Sequence, residues 1–489
     1  MENRTEFSVA LIKKNMDRGE FGVEKESLRI DAEGHLSHSA HPFGSREDIT
    51  RDFCENQTEM ITDVYNSVEE VLQHLRKLHT EVVMTLQELP TGREYLWPFS
   101  NPPYVQGAED IPVAQFEGKQ SEKTIYRNYL ADKYGKRKML FSGIHLNYSF
   151  TEDMIQEEYQ ILLSDEAASN RSELSTFQSF KNHVYIQLVQ KLTKYSWLIV
   201  YLTASSPVLD DSFLDCGNDS RQEQSGFLDC ATESGQAQSG YPDCENKNGK
   251  TGVPGDKKRT SHDDEWSRGD MTKYASARCG ELGYWNDFIP VFDYQNLESY
   301  IKSIESYIQS GQLKRASELY YPLRLKPRGE NSLEHLREKG VNHIELRMLD
   351  VNPLSPIGLI PEDVEFLHYF MVYLHYQEEI QLTEEEQINA IINEKQAALF
   401  DDSTILIRES DGTKRPVREA ALEVLQQMER FYSEMESATA LRRIEYQKEK
   451  LTIPGNRYAD RIRRLYETDY VEQGINLAGK YTKQLLSDS

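Results

Sequence analysis

The sequence predicts a chain of mixed helix and strand, on three observations. Residues 21–30 (FGVEKESLRI), residues 141–150 (FSGIHLNYSF) and the start of residues 343–358 (HIELRMLDVNPLSPIG) alternate their side chains with the two-residue period of a strand. Between the first two, residues 67–89 place Val68, Val71, Leu72, Leu75, Leu78, Val82, Leu86 and Leu89 at three- and four-residue steps, the stripe of a core-facing helix. From Pro361 to the end the pattern is helical and charged, with no further site-like cluster.

Taken in order, residues 6–18 form a short amphipathic helix leading into the first strand. There Glu24 and Glu26 fall on one face. Two carboxylates so placed repel unless a cation lies between them. A solvated polar face is the ordinary reading. A hard divalent cation is the other, because Mg²⁺ takes oxygen ligands and leaves room for phosphate. Residues 51–62 carry Asp52, Glu55 and Glu59. Asp52 and Glu59 are an odd number of residues apart, so a straight strand would send them to opposite faces. A bend, a bulge or a helical turn is needed to bring both to one site. Ser67 and Glu70 make a capping box for the helix that follows. Residues 92–115 are a loop rich in Pro and aromatics, and residues 124–135 a helix stopped by Gly135.

In residues 141–150, Ile144, Leu146, Tyr148 and Phe150 line one face, with His145, Asn147 and Ser149 on the other. Residues 154–204 read as two helical segments, the second strongly apolar, and residues 292–312 as another helix. Residues 317–329 (SELYYPLRLKPRG) are polar, aromatic and cation-rich. The last strand sets Ile344, Leu346 and Met348 against His343, Glu345 and Arg347, and VNPLSP then forces a turn.

The 489 residues suffice for two or three domains or one large one. A net charge of −25 argues against nucleic acid as the main partner, since binding it needs a basic footprint. It does not exclude a nucleotide held by a few Arg residues and a metal. The N-terminus has no apolar signal region, and the longest apolar run, near residues 197–202, is too short for a bilayer. Five Cys make no disulfide framework. A soluble, cytoplasmic protein without a membrane partner is expected.

Residues 210–268 stand apart. They are polar, Gly- and Ser-rich, and repeat SFLDCGNDSRQEQ, SGFLDCATESGQAQ and SGYPDCENKNGKTG, with Cys216, Cys230 and Cys244 at intervals of fourteen. The composition reads as a disordered surface insertion grown by duplication. A metal or thiol-dependent contact is the rival, although one Cys and no His per unit matches no zinc spacing.

Singly, each polar strand residue has an ordinary explanation. Together Glu24, Glu26, Asp52, Glu59, His145, Glu345 and Arg347 interrupt otherwise apolar strands, as if facing a shared wet interior. Such a set suits two or three Mg²⁺ ions gathering phosphate oxygens, with Arg residues for the phosphates themselves. Walker A, GxGxxG and GxSxG motifs are all absent.

FGVEKESLR, DFCENQTE, TIYRNYL, SGIHLN, LGYWN, ELYYPLR and IELRMLDVNPLSPIG occur in the order found in bacterial glutamate–cysteine ligases of the γ-glutamylcysteine synthetase type, and the chain resembles that family over about residues 10–360 outside the insertion. The resemblance implies an α+β fold: a glutamine-synthetase-like, curved, mostly antiparallel sheet with the active site on its concave face and helices around it. It implies one catalytic domain over residues 1–489, interrupted by the insertion and ending in a mainly helical part at residues 361–489. It also implies the reaction, in which ATP phosphorylates the γ-carboxylate of L-glutamate and the amine of L-cysteine displaces phosphate.

Carried over by motif, Glu24, Glu26, Asp52, Glu59, His145 and Glu345 are the expected ligands of two or three Mg²⁺, with Mn²⁺ as a substitute. Arg127 and Arg347 are expected at the transferred phosphate, and Arg278 at a substrate carboxylate. Phe53, Tyr126, Leu130, Tyr284 and Tyr320 are expected around cysteine. Met139 stands where related enzymes show a polar residue. Cys54 and Cys279 fall near the site, either as ordinary buried residues or as points of oxidative control. A monomer is expected. A bifunctional ligase is not, since no second ATP-binding domain follows Ser489.

Overall fold

In the computed structural model, residues 8–164, 174–213, 273–283 and 285–487 are described. The Cys-repeat segment and Tyr284 therefore lie outside the described residues, as does most of the 210–268 insertion.

Seven strands form one sheet: β1 (Glu20–Ile30), β2 (Ile49–Arg51), β3 (Gln57–Ile61), β4 (Tyr95–Leu96), β5 (Gly143–Ser149), β6 (Leu323–Lys326) and β7 (His343–Asp350). Their order is β2-β3-β1-β5-β7-β6, with β4 pairing the end of β1, and every one of these ladders is antiparallel. A short hairpin, β8 (Leu406–Arg408) with β9 (Lys414–Pro416), interrupts the helical C-terminal part. The fold is α+β, with a mostly antiparallel open sheet.

Among the described residues the helices are α1 (Val9–Asn15), α2 (Val68–Gln87), α3 (Ser121–Tyr134), α4 (Glu152–Ser164), α5 (Phe177–Lys194) and α6 (Ser196–Thr203), then eight more from Leu297 to Ser487. The expected α2 stripe is buried from Val68 to Leu86, with Leu89 half-buried past the helix end, and Ser67 caps it: its Oγ donates to Glu70 Oε2 at 2.7 Å and accepts from the Glu70 N–H at 3.3 Å. α3 ends at Gly135, whose φ of 81° a side chain would strain. The two helical segments expected between residues 154 and 204 are three, because the chain breaks again at Tyr195.

One face of the sheet is apolar and the other polar, as strand alternation requires. Phe21, Val23, Ile144, Leu146, Tyr148, Ile344 and Leu346 join the same core as the α2 stripe and the helix Pro361–His375. The opposite face carries the site.

Candidate active site

Strand register assembles the acidic face. Glu26 lies directly opposite Glu59 on β3, Glu24 opposite His145 on β5, and Asn147 opposite Glu345 on β7. Directly opposed residues share a face, so six polar side chains from four strands project together. One extra residue on β7 between Leu346 and Leu349 makes a β-bulge opposite His145. Asp52 reaches the same place from the turn that joins β2 to β3, and its charge acts on both Glu26 and Glu59. A hairpin thus resolves the parity problem between Asp52 and Glu59.

Donor atoms of Glu24, His145 and Glu345 lie within 4.8 Å of one another. His145 Nδ1 is 3.2 Å from Glu24 Oε2 and 4.0 Å from Glu345 Oε1. Its Nε2 is 3.9 Å from Glu26 Oε1 and has no hydrogen-bond partner among the described residues. Asn147 donates to Glu24 Oε1 at 3.0 Å, and the Gly143 N–H donates to Glu26 Oε2 at 2.8 Å.

Crowding shows in the protonation equilibria. Burial and the nearby Asp52 charge push the Glu26 carboxyl up to about 8. Burial, then Asp52, Glu24 and Glu26, push Glu59 well above the carboxylate range. Burial would raise Glu345 as well, but Lys326 Nζ at 3.2 Å and Arg347 Nη1 at 3.0 Å hold it well below. Glu24 is raised by burial, yet its hydrogen bond to His145 helps leave it below its ordinary value. Burial, with Arg347, keeps His145 below its ordinary value and so favours the neutral imidazole that ligates. Like-charged oxygens around an orphaned imidazole nitrogen fit a hard divalent cation.

Cations ring the acids. Arg127, on α3, donates from Nε to the Asp52 carbonyl and from Nη2 to the Arg51 carbonyl at 3.3 Å, with its guanidinium 4.7 Å above the Phe116 ring. Arg278 donates from Nη2 to the Arg347 carbonyl at 2.8 Å. Its guanidinium occupies the space a Gly143 side chain would take: a Cβ there would fall 2.0 Å from Nη2. Gly143 therefore admits Arg278 and fixes Glu26 at once. Phe53, Leu130 and Tyr320 share one apolar cluster with Met139, and Tyr126 packs against it.

Three side chains placed beside the acidic face escaped the sequence reading. Arg324, opposite Glu345 in register, and Lys326, paired with it, come from the cation-rich segment 317–329, which was the available signal. Glu394 comes from the helix Glu384–Ala397, part of the C-terminal region expected to hold no site-like group; instead it lines a pocket with Arg278 and Arg347. Cys54 and Cys279 are fully buried, and burial pushes both thiols up, Cys279 to about 12. Such thiols are poor nucleophiles, which favours the ordinary buried role over oxidative control.

A buried carboxylate–imidazole cluster on an antiparallel sheet, edged with guanidinium groups, has the donor set to hold a metal ion. The chain belongs to the glutamate-cysteine ligase family, whose model matches residues 7–253 and 256–397. It is 32% identical over 485 residues to the glutathione biosynthesis bifunctional protein GshAB of Listeria monocytogenes serovar 1/2a, covering 97% of this chain and 56% of that one. It is 30% identical over 432 residues to the glutamate–cysteine ligase of Clostridium acetobutylicum, covering 84% of each. The chain thus spans about half the length of the bifunctional relatives it matches.

The fold is shared with the bifunctional glutathione synthetase of Pasteurella multocida, at a TM-score of 0.74 and 23% identity over 98% of this chain and 54% of that one. It is shared too with the glutamate–cysteine ligase of Francisella tularensis, solved in complex with AMP, at 0.73 and 22% over 96% and 89%. Among the described residues no helix is long and apolar enough to cross a membrane.

Proposed function

We propose that this chain joins the γ-carboxylate of L-glutamate to the amine of L-cysteine, using ATP and passing through γ-glutamyl phosphate, with release of ADP and phosphate. The observation that carries this reading is the convergence of Glu24, Glu26, Glu59, His145 and Glu345 on one sheet face beside Arg347. The family match and the AMP complex of the Francisella relative support a nucleotide substrate.

A carboxylate is a poor electrophile, so the reaction must first give it a leaving group. Glu24, Glu26, Asp52, Glu59, His145 and Glu345 would hold two or three Mg²⁺, or Mn²⁺ in their place. When bound, those ions supply charge neutralisation for the phosphate oxygens. Arg127 and Arg347 stabilise negative charge on the transferred phosphoryl group, a contribution of about 2–4 kcal/mol each in comparable sites. Arg278 holds a substrate carboxylate. Phe53, Tyr126, Leu130 and Tyr320, with Tyr284 by motif, enclose the cysteine side chain in apolar surroundings. The same reading makes the protein a cytoplasmic monomer without a nucleic-acid or membrane partner.

The test is ADP release that depends on glutamate, with cysteine compared against a panel of amines and the product identified by mass. γ-Glutamylcysteine is expected. Preference for a non-thiol amine would replace cysteine by another acceptor, and ATP turnover surviving both Glu26→Gln and Glu345→Gln would remove the site from this face.

A further inference from the structure

A pocket enclosing about 430 Å³ of empty space, part of it open to solvent, lies beside the acidic face; Arg278, Cys279, Trp285, Tyr320, Arg347 and Glu394 are among its walls. Glu394 is 1% exposed, and its Oε2 has no hydrogen-bond partner among the described residues. A buried carboxylate oxygen left unmet is costly, and burial pushes this carboxyl up to about 7 against the downward pull of Ser196, Lys395 and Arg278. A fold retains such a group most simply where a ligand completes it.

Arg278 stands on the same pocket and its charge acts on Glu394. An α-amino acid presents a carboxylate and an ammonium on one carbon, so a receptor for it needs opposite charges side by side. The acceptor amine is the nucleophile and must lose its proton to attack. An ammonium held through turnover is therefore that of the acylated amino acid. Resting on the ligase reading above, we propose that Glu394 is a specificity-determining residue: it receives the α-ammonium of L-glutamate while Arg278 receives the α-carboxylate.

Glu394→Gln keeps the shape and removes the charge. In the full chain with Mg²⁺ and ATP, KM for L-glutamate is expected to rise about 100-fold, with KM for ATP and cysteine changed less than about 3-fold. By calorimetry, L-glutamate should bind the variant correspondingly more weakly, while glutarate, which lacks the ammonium, should bind both proteins alike. Glu394→Asp, one methylene shorter but charged, should fall between. Unchanged glutamate affinity in a folded Glu394→Gln protein overturns the assignment, as does equal weakening of glutarate and L-glutamate, which marks a merely structural role. A wild-type protein that neither binds nor turns over glutamate overturns the ligase reading and this one with it. An active wild type with an unaffected variant overturns the Glu394 role alone.

Discussion

β1 carries two sets of buried charge that are held on opposite terms. At Arg29 the guanidinium is fully buried against Glu94 at 3.0 Å, and Nη1 and Nη2 also reach Ser39 Oγ and the carbonyls of Ser39 and Glu55 at 2.8–3.1 Å. Ser37 completes Glu94 at 2.7 Å. Three to five residues earlier, Glu24 and Glu26 face other carboxylates and an imidazole with an unmet nitrogen. A buried charge neutralised by an opposite charge of its own chain is architecture. A buried group of like charges that raise one another is a site awaiting something positive.

The sharpest way to break that contrast is Glu26→Gln. Metal-dependent ATP turnover should fall by about 10³-fold or more. Stability in metal-free buffer should nevertheless rise, on the order of 1 kcal/mol at pH 8. The sign follows from the raised folded-state pKa of about 8 against 4.5. Stability conferred by the protonated form is complete below 4.5 and is lost as pH climbs through 8, and the variant escapes that loss. Urea titrations at pH 5 and pH 8 measure it. A variant less stable than wild type at pH 8 would make Glu26 structural like Arg29.

The converse substitution is Arg29→Ala. It strands Glu94 and should lower stability by about 3–5 kcal/mol by urea unfolding, with the Mg²⁺ concentration for half-maximal activity of the surviving folded protein unchanged. A large shift in Mg²⁺ dependence would join the two regions into one.

Sequence patterning revealed the acid site far better than the architectural pair, and the reason is range. Glu24 and Glu26 share a face by alternation alone, and the same rule placed His145 and Glu345 on polar faces. Partner choice across strands follows no local pattern. Nothing near Arg29 marks Glu94, sixty-five residues on, as its partner. Asp52 was legible as an acid but not in place, because the hairpin turn before β3 breaks the period. The bulge on β7 depends on its register against β5, and the Lys326 and Arg324 charges around Glu345 on β6 pairing with β7; no single segment encodes either. Glu394 sits in an ordinary charged helix pattern and stands out only by where that helix lands.

A milder test concerns His368, on the apolar side of the sheet. Its Nε2 contacts the Met16 carbonyl at 2.9 Å and its Nδ1 the Tyr148 hydroxyl at 3.1 Å, an arrangement made for the neutral ring. Burial depresses its pKa to about 4 from 6.5. With the folded-state value below the unfolded one, the unfolded chain binds the extra proton first, so stability present above pH 6.5 is lost as pH falls toward 4. The loss is about 3 kcal/mol at most. His368→Gln should shrink the stability difference between pH 7 and pH 5 while leaving ATP turnover at pH 7 within about 3-fold. An unchanged pH slope would show that the ring is protonated in place.

The smallest expected effect is Ser67→Ala. It removes the α2 cap, whose Oγ satisfies the Glu70 N–H, and caps of this kind contribute about 1 kcal/mol. Because α2 packs on the apolar face, that loss should appear in unfolding and not in KM for glutamate, cysteine or ATP. The acids are held by β-ladder register, which a frayed first turn of α2 leaves intact. If KM for ATP moved by more than about 3-fold, the site geometry would depend on α2 packing, and the two faces of the sheet would be energetically coupled.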